Sequence, residues 1–342
     1  MKRPLHFKHL PEIPVEKRYA EVSSTPEQKI TQKIFKGSAI SPTEEQTLKT
    51  CLKYYNTLIP LLKELRFKDF DSQELADFKD YYYYAFNSLS LISNGVTVSD
   101  LYRVVKNISY ALPNYKSICE TKYLTYPPLD VVKKNNVYNR ANNPNFNLFY
   151  GADSINSALR ELHPEKGEIV TVGIWTALYP EKEIICFPIT HGTGARLVHP
   201  QLESLHTEFQ KLKTKPHQSL LIEYFDTILD FLADEFSKPI SDPRDYYLSA
   251  LYAEQIFELE DPNWTYNGIY YPSVQNKFKY FNVAVRPDYF DNNFALRKII
   301  EIGVGETFYN QDIEYRHPEE ITFIKPVYIR SPKCFNNTDI NW

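Results

Sequence analysis

The sequence lacks the short motifs that mark several common classes of enzyme. It contains no Gly-x-x-x-x-Gly-Lys-Ser/Thr phosphate loop and no Gly-x-Gly-x-x-Gly dinucleotide fingerprint. It also contains no His-Glu-x-x-His zinc motif and no Gly-x-Ser-x-Gly nucleophile elbow. These absences argue against P-loop, Rossmann, zinc-peptidase and α/β-hydrolase enzymes. The segment His191-Gly192-Thr193-Gly194 is interpreted as a surface turn, because two glycines alone are a weak signal of an anion-binding loop.

Cysteines are few and isolated, and long apolar runs are absent. The four cysteines form no Cys-x-x-Cys pair and have no histidine at ligand spacing; they are Cys51, Cys119, Cys186 and Cys334. We therefore expect neither a metal site nor a disulfide framework, but reduced thiols. The first 18 residues contain no apolar segment of the kind a signal peptide needs, and no run approaches a membrane span. A cytoplasmic protein is expected.

The composition is that of an ordinary globular protein. The chain has 342 residues, enough for one large domain or two smaller ones, with 43% hydrophobic and 24% charged residues. The formal net charge is -4, so the chain has no excess of positive charge that would indicate direct binding of nucleic acid. An aromatic share of 15% is explained most simply by an aromatic-rich core.

The residue pattern predicts an α+β fold with a helical N-terminal region. An extended, proline-punctuated arm and helices near 26–35, 41–65 and 71–89 precede a break at Ser93-Asn94-Gly95. Residues 1–95 are therefore predicted as one domain and 96–342 as a second domain. Short strands are predicted in the second domain at 101–106, 148–152, 167–175, 182–189, 268–273 and 281–285, with a hairpin or edge strands within 308–328. A helical insertion at about 200–236, broken at Pro216, and a helix at 243–259 interrupt them without a regular βαβ rhythm.

Several polar residues lie in positions where a functional role is plausible, yet each also has an ordinary structural explanation. Arg103 lies in the apolar strand LYRVV, where a cation needs a partner unless it faces solvent. Tyr150 ends an apolar strand, and Glu161 lies on a short helix after Asp153-Ser154. Ser273 follows Tyr-Pro in a turn. Taken singly, none of them establishes a site.

Taken together, these residues resemble the RES domain, a family named for its Arg, Glu and Ser. The central match is Arg140-Ala-Asn142-Asn-Pro144, then the strand Phe-Tyr150-Gly-Ala-Asp-Ser, then Ala-Leu-Arg-Glu161. The segment LYRVVK resembles the opening strand of the family and contains Arg103. The segment GIYYPSVQNKFKYFNVAV resembles its closing part, with Ser273 and Asn282. The resemblance covers about residues 97–290, and it departs from many members in the loop before Asn142 and in the helical insertion.

The resemblance implies an ADP-ribosyltransferase-like fold, with a mixed or antiparallel β core. Known RES proteins degrade NAD by hydrolysis or phosphorolysis, as toxins paired with an Xre-type antitoxin. The implied activity is cleavage of the nicotinamide–ribose bond without a metal or a prosthetic group, NAD being the substrate. Glu161 is then the candidate carboxylate, Arg103 the pyrophosphate ligand with Arg140 as a second candidate, and Tyr150 and Ser273 the groups around nicotinamide and ribose. Asn142 and Asn282 are further candidates for binding NAD.

Three interpretations stay open at this point. At least one RES branch ADP-ribosylates a protein, so a transferase acting on a protein or small molecule is the first alternative to an NAD-depleting toxin. An inactive nucleotide-binding module is the second. The sequence does not choose among water, phosphate or a macromolecule as the acceptor, and it leaves open the antitoxin, a homo-oligomeric state and the role of residues 1–95.

Overall fold

A computed structural model gives the architecture of the chain. It describes residues 9–14, 25–35, 38–86, 94–109, 117–136, 138–189, 207, 211, 216–238, 242–258, 265–273, 281–308 and 317–342. The structure is mixed α/β, with a large mixed sheet, so the predicted combination of helices and strands is confirmed. The segment containing Gly192 and Gly194 lies outside the described residues, as does most of 200–215.

The chain divides into two compact units. The first comprises Met1–Ser93, Tyr138–Asn143 and Ile189–Leu259, and the second comprises Asn94–Val137, Pro144–Pro188 and Glu260–Trp342. The predicted boundary near residue 95 lies beside the start of the second unit. Residues 189–259, which the sequence analysis assigned to the second domain, belong to the first unit, and so does the loop that contains Arg140 and Asn142.

The first unit is helical in its described part. Its helices are α1 (Pro26–Phe35), α2 (Pro42–Glu64), α3 (Ser72–Ala85), α6 (Pro216–Ser237) and α7 (Tyr247–Glu258). The starts of α2 and α3 follow from their capping boxes, in which Ser41 pairs with Glu44 and Asp71 with Glu74. One face of α2 supplies an apolar stripe at helical spacing that is buried in the unit: Leu48, Leu52, Tyr55, Leu58 and Leu62.

The second unit contains the sheet. Its strands are β1 (Asn94–Val96), β2 (Asp100–Lys106), β3 (Phe149–Ala152), β4 (Ile169–Ala177), β5 (Ile184–Pro188), β6 (Gly268–Pro272), β7 (Phe281–Val285), β8 (Phe294–Thr307) and β9 (Ile324–Arg330). A separate pair is formed by β10 (Cys334–Phe335) and β11 (Ile340–Asn341). The helices are α4 (Leu129–Lys134), α5 (Ile155–Leu162) and α8 (Pro287–Asn293).

Nine of the described strands form one sheet in the order β1-β5-β6-β7-β3-β2-β4-β8-β9. Only β5 and β6 among these neighbours run parallel, and the other neighbouring pairs are antiparallel. The edge strand predicted near the C-terminus is β9. The junction between β3 and β2 is narrow, because Tyr102 and Ala152 form its single residue pair.

The helix α5 packs on one face of this sheet, beside β2 and β3. The apolar face of that helix contributes Ile155, Ala158 and Leu159 to a buried cluster with Tyr102 and Ala152. Val170, Val172 and Ile174 alternate along β4 and join the same cluster. The helix that carries Glu161 is therefore fixed on the sheet by its apolar side, and its polar side is left to contact the strand ends.

Candidate functional site

The helix α5 begins directly after strand β3 because the local sequence caps it there. Ser154 is the N-cap, and its side chain accepts a hydrogen bond from the backbone N–H of Ser157 at 3.1 Å. The helix is only eight residues long and ends at His163, which has a left-handed backbone conformation with φ 49°. Glu161 is therefore held in the last turn of a short helix whose start and end are both well defined.

Glu161, Ser273 and Asn282 meet at one atom. Oε1 of Glu161 accepts a hydrogen bond from the Oγ of Ser273 at 2.5 Å and another from the Nδ2 of Asn282 at 2.8 Å. Ser273 is fully buried and Asn282 nearly so, whereas Glu161 is half-buried. Within the described residues, Oε2 of Glu161 accepts no hydrogen bond. The carboxylate thus has one oxygen that is anchored by donors from two different parts of the sheet.

The sheet order explains why residues so distant in sequence meet. Asn282 on β7 pairs with Ala152 at the end of β3 on one side and with Tyr271 near the end of β6 on the other. Ser273 follows β6 directly, and α5 starts two residues after β3 ends. The ends of three neighbouring strands therefore deliver a hydroxyl, an amide and a carboxylate to one point.

Asp153 is a further polar residue at this strand end, and the sequence analysis gave it no role. Its Oδ1 accepts hydrogen bonds from the Oγ of Ser157 at 2.6 Å and from the Oγ of Ser154 at 3.2 Å. Its Oδ2 accepts from the backbone N–H of Phe281 at 3.4 Å. Burial raises the pKa of Asp153 to about 6, although these donors act in the opposite direction. The sequence signal was an acidic residue between a buried strand and a helix N-cap.

Arg103 contacts the other side of β3. Side chains alternate along a strand, and Tyr102 faces α5, so Arg103 is on the opposite face of β2. Its guanidinium carbon is 5.8 Å from the ring centroid of Phe149, and its Nη1 donates to the carbonyl oxygen of Tyr150 at 3.4 Å. Arg103 thus contacts the backbone of Tyr150 and the ring of Phe149 at the narrow junction of the sheet.

Arg140 and Asn142 contact residues of the first unit. The Nη1 of Arg140 donates to the carbonyl of Phe236 at 2.6 Å and to that of Lys238 at 3.2 Å, at the end of α6. Its guanidinium carbon is 4.9 Å from the ring centroid of Tyr246. Asn142 is buried, and its Oδ1 accepts a hydrogen bond from the Nδ2 of Asn139 at 3.0 Å. The predicted site residues therefore fall into three groups, centred on Glu161, Arg103 and Arg140.

The described residues contain no group of three or more His, Cys, Asp or Glu side chains that could hold a metal ion. In the same part of the chain, none of the helices has the length and apolar character needed to cross a membrane.

Comparisons with known proteins add no family to this geometry. Searches against protein-family models, curated proteins and solved structures each find no match for the chain. The resemblance to RES domains therefore rests on the sequence motifs alone.

Proposed function

We propose that this chain is an NAD-consuming enzyme of the RES type, which cleaves the bond between nicotinamide and ribose. The supporting observation is the meeting of Glu161, Ser273 and Asn282 at one carboxylate oxygen. The resemblance named these three residues from separate parts of the sequence, and 112 and 121 residues separate Ser273 and Asn282 from Glu161. A chance arrangement of unrelated surface residues would not be expected to converge in this way.

The arrangement suits the chemistry of breaking an N-glycosidic bond. As nicotinamide leaves, positive charge develops on the ribose, in an oxocarbenium-like state related to that of glycosidases. A fixed carboxylate beside the ribose stabilises this charge because it needs no reorganisation when the charge appears. Ser273 and Asn282 keep the carboxylate in place because both donate hydrogen bonds to Oε1 of Glu161. Oε2 then faces the ribose and its acceptor.

The other candidates bind parts of NAD further from the bond that breaks. Arg103 is proposed to hold the pyrophosphate, for which a planar and permanently charged guanidinium is well suited. This role is implied by the resemblance, and the side chain of Arg103 lies on the face of β2 opposite α5. Tyr150 is proposed to contact nicotinamide. Arg140 and Asn142 are weaker candidates, because the contacts described for them are made to the first unit.

The finer fold and the biological role belong to the same proposal. A predominantly antiparallel mixed sheet, with the carboxylate on a helix between β3 and β4, is compatible with an ADP-ribosyltransferase-like core. The role implied by RES proteins is a toxin that depletes cellular NAD and is neutralised by an Xre-type antitoxin.

The direct test is to incubate the purified protein with NAD and to follow nicotinamide release by chromatography, with and without inorganic phosphate. Release without phosphate indicates hydrolysis, whereas release that requires phosphate indicates phosphorolysis. Glu161→Gln is expected to lower kcat by at least 10²-fold, the order typical of removing one preorganised electrostatic group. Glu165→Gln, an exposed carboxylate four residues further on, is the matched control and should retain wild-type activity.

Two outcomes would contradict the proposal. No nicotinamide release by the wild-type protein under either condition would exclude NAD cleavage in the absence of another acceptor. Equal activity of Glu161→Gln and wild type would exclude Glu161 as the carboxylate. Inducible expression in bacteria provides the cellular test: NAD should fall with the wild type and not with Glu161→Gln.

A further inference from the structure

The carboxylate of Asp153 joins the two elements that bring Glu161 and Asn282 together. Asp153 lies between β3 and the N-cap of α5. Its two oxygens take hydrogen bonds from different elements: Oδ1 from Ser157 on α5, and Oδ2 from the backbone of Phe281 at the start of β7. One side chain thus ties the helix to β7, the strand that lies beside β3 in the sheet.

These attachment points are close in sequence to the residues that form the candidate site. Phe281 immediately precedes Asn282, and Ser157 is one helical turn before Glu161. The backbone of Ala152, which precedes Asp153, also pairs with Asn282. The bonds made by Asp153 therefore add to the apolar packing of α5 in fixing that helix relative to β7, and they lie close to the contact between the Glu161 carboxylate and the Asn282 amide.

We propose that Asp153 is a positioning residue for Glu161 and Asn282, an inference that rests on the proposed function of that site. An alternative is that Asp153 only contributes to the start of α5. The bond to Phe281 on β7 argues against that reading, because helix capping does not require it. Desolvation also disfavours the ionised form of Asp153, and titratable groups perturbed in this way are concentrated at functional sites.

The hydrogen-bond chemistry predicts different effects for two substitutions. Asp153→Ala removes both acceptors and releases α5 from β7. Asp153→Asn keeps the shape, because its Oδ1 can accept from the Phe281 N–H while its Nδ2 donates to the hydroxyl of Ser157. If Asp153 acts through these hydrogen bonds, Asp153→Asn should retain activity. If it acts through its negative charge, Asp153→Asn should lose activity as Asp153→Ala does.

The experiment measures kcat and KM for nicotinamide release in both variants. Asp153→Ala is expected to lower kcat by about 10²-fold, the scale reported for a misplacement of about 1 Å, with KM changed less than about threefold. Asp153→Asn is expected to stay within about fivefold of wild type. Asp130→Ala, an exposed aspartate in the same unit, is the control and should match wild type. Wild-type kcat in Asp153→Ala, or equal losses in the Ala and Asn variants, would overturn the inference.

A structural measurement keeps this inference separate from the proposed function. If the wild-type protein releases no nicotinamide, the function fails while the positioning role can still be examined in crystals of Asp153→Ala. The hydrogen bond between Glu161 Oε1 and Asn282 Nδ2, 2.8 Å in the wild type, is expected to lengthen or break. Its retention would overturn the inference whatever the activity.

Ser157→Ala provides the same test if Asp153→Ala does not fold. It removes the 2.6 Å hydrogen bond between α5 and Asp153 and leaves the carboxylate in place. We expect a loss in kcat of about tenfold, the equivalent of one hydrogen bond to a charged group. An unchanged kcat, together with an unchanged distance between Glu161 and Asn282, would count against the positioning role.

Discussion

The hydroxyl of Ser273 donates a hydrogen bond to Oε1 of Glu161 at 2.5 Å, across 112 residues of sequence. Because Ser273 is fully buried, this bond is shielded from competition with water. Ser273→Ala should therefore lower kcat for nicotinamide release by about 10- to 100-fold, the range of a hydrogen bond to a charged group. Ser249→Ala, which removes a buried serine of the first unit, is the control and should leave kcat unchanged.

Asn282→Asp should place two carboxylates in contact, because Nδ2 of Asn282 is 2.8 Å from Glu161 Oε1. Two like charges at this distance cannot both be ionised at low cost, so one of them takes up a proton more readily in the folded state. We expect a lower melting temperature than wild type at pH 7 and a smaller difference at pH 5, where the pair holds a proton. Equal destabilisation at both pH values would contradict the contact. Asn292→Asp, on the exposed side of α8, should show little effect at either pH.

The ionisation of Asp153 should reduce stability over a defined pH range. Burial raises the pKa of this carboxyl to about 6, whereas an unfolded aspartate titrates near about 3.9. Between these values the folded protein binds a proton that the unfolded chain releases, so this group makes folding less favourable as the pH rises. Asp153→Asn lacks the effect. Its melting temperature relative to wild type is therefore expected to increase from pH 4 to pH 6 and to stay constant above, and a flat difference would contradict the shift.

Replacing Arg103 should mainly affect KM for NAD, whereas replacing Arg140 should mainly affect the melting temperature. Arg103→Ala is expected to raise KM for NAD about tenfold or more, as for the loss of a charge-assisted contact to phosphate. Arg140→Ala is expected mainly to lower the melting temperature, because it removes donors from the carbonyls of Phe236 and Lys238 at the end of α6. Steady-state kinetics and thermal unfolding of both variants check this division. A larger KM effect for Arg140→Ala would reverse it.

An ion pair with one buried partner should stabilise the second unit more than a fully exposed pair stabilises the first. Glu301 on β8 is fully buried and contacts Arg330 on β9 at 2.7 Å. Arg330→Ala removes the cation but leaves Glu301 its hydrogen bonds from Asn107 and Tyr328. A loss of about 2 kcal/mol is expected, as for one hydrogen bond to a charged group. Lys49→Ala removes an exposed pair with Glu45 on α2 and should cost less than about 1 kcal/mol. Urea unfolding of the two variants measures the contrast, and comparable losses would contradict it.

Most of the regular elements were predicted from periodicity and caps. The helices α1, α2 and α3 were confirmed, and so were α7 and the strands from β2 to β7. The longest strand, β8, was missed. Its central residues Arg297, Lys298 and Glu301 interrupt the apolar pattern expected of a buried strand. In the structure, charged partners outside the strand accommodate these side chains: Glu319 pairs with both Arg297 and Lys298.

The candidate site was predictable only in part. Glu161, Ser273 and Asn282 were named through a family resemblance, because nothing in local sequence indicates that strand ends 112 residues apart will meet. Asp153 was missed for a related reason. Its partners Ser157 and Phe281 become neighbours only when β7 lies beside β3, and that order is a property of the whole sheet.

The narrow junction between β2 and β3 has a mechanical consequence. With a single residue pair between these strands, the two halves of the sheet share almost no backbone ladder there. The two halves are also connected by α5, whose apolar side chains pack with Tyr102 in one half and Ala152 in the other. Arg103 of β2 adds contacts with Phe149 and with the carbonyl of Tyr150 on β3. Packed side chains can slide where ladder hydrogen bonds would have to break. A relative shift of the two halves of the sheet would therefore move α5, and with it Glu161 in the last turn of that helix.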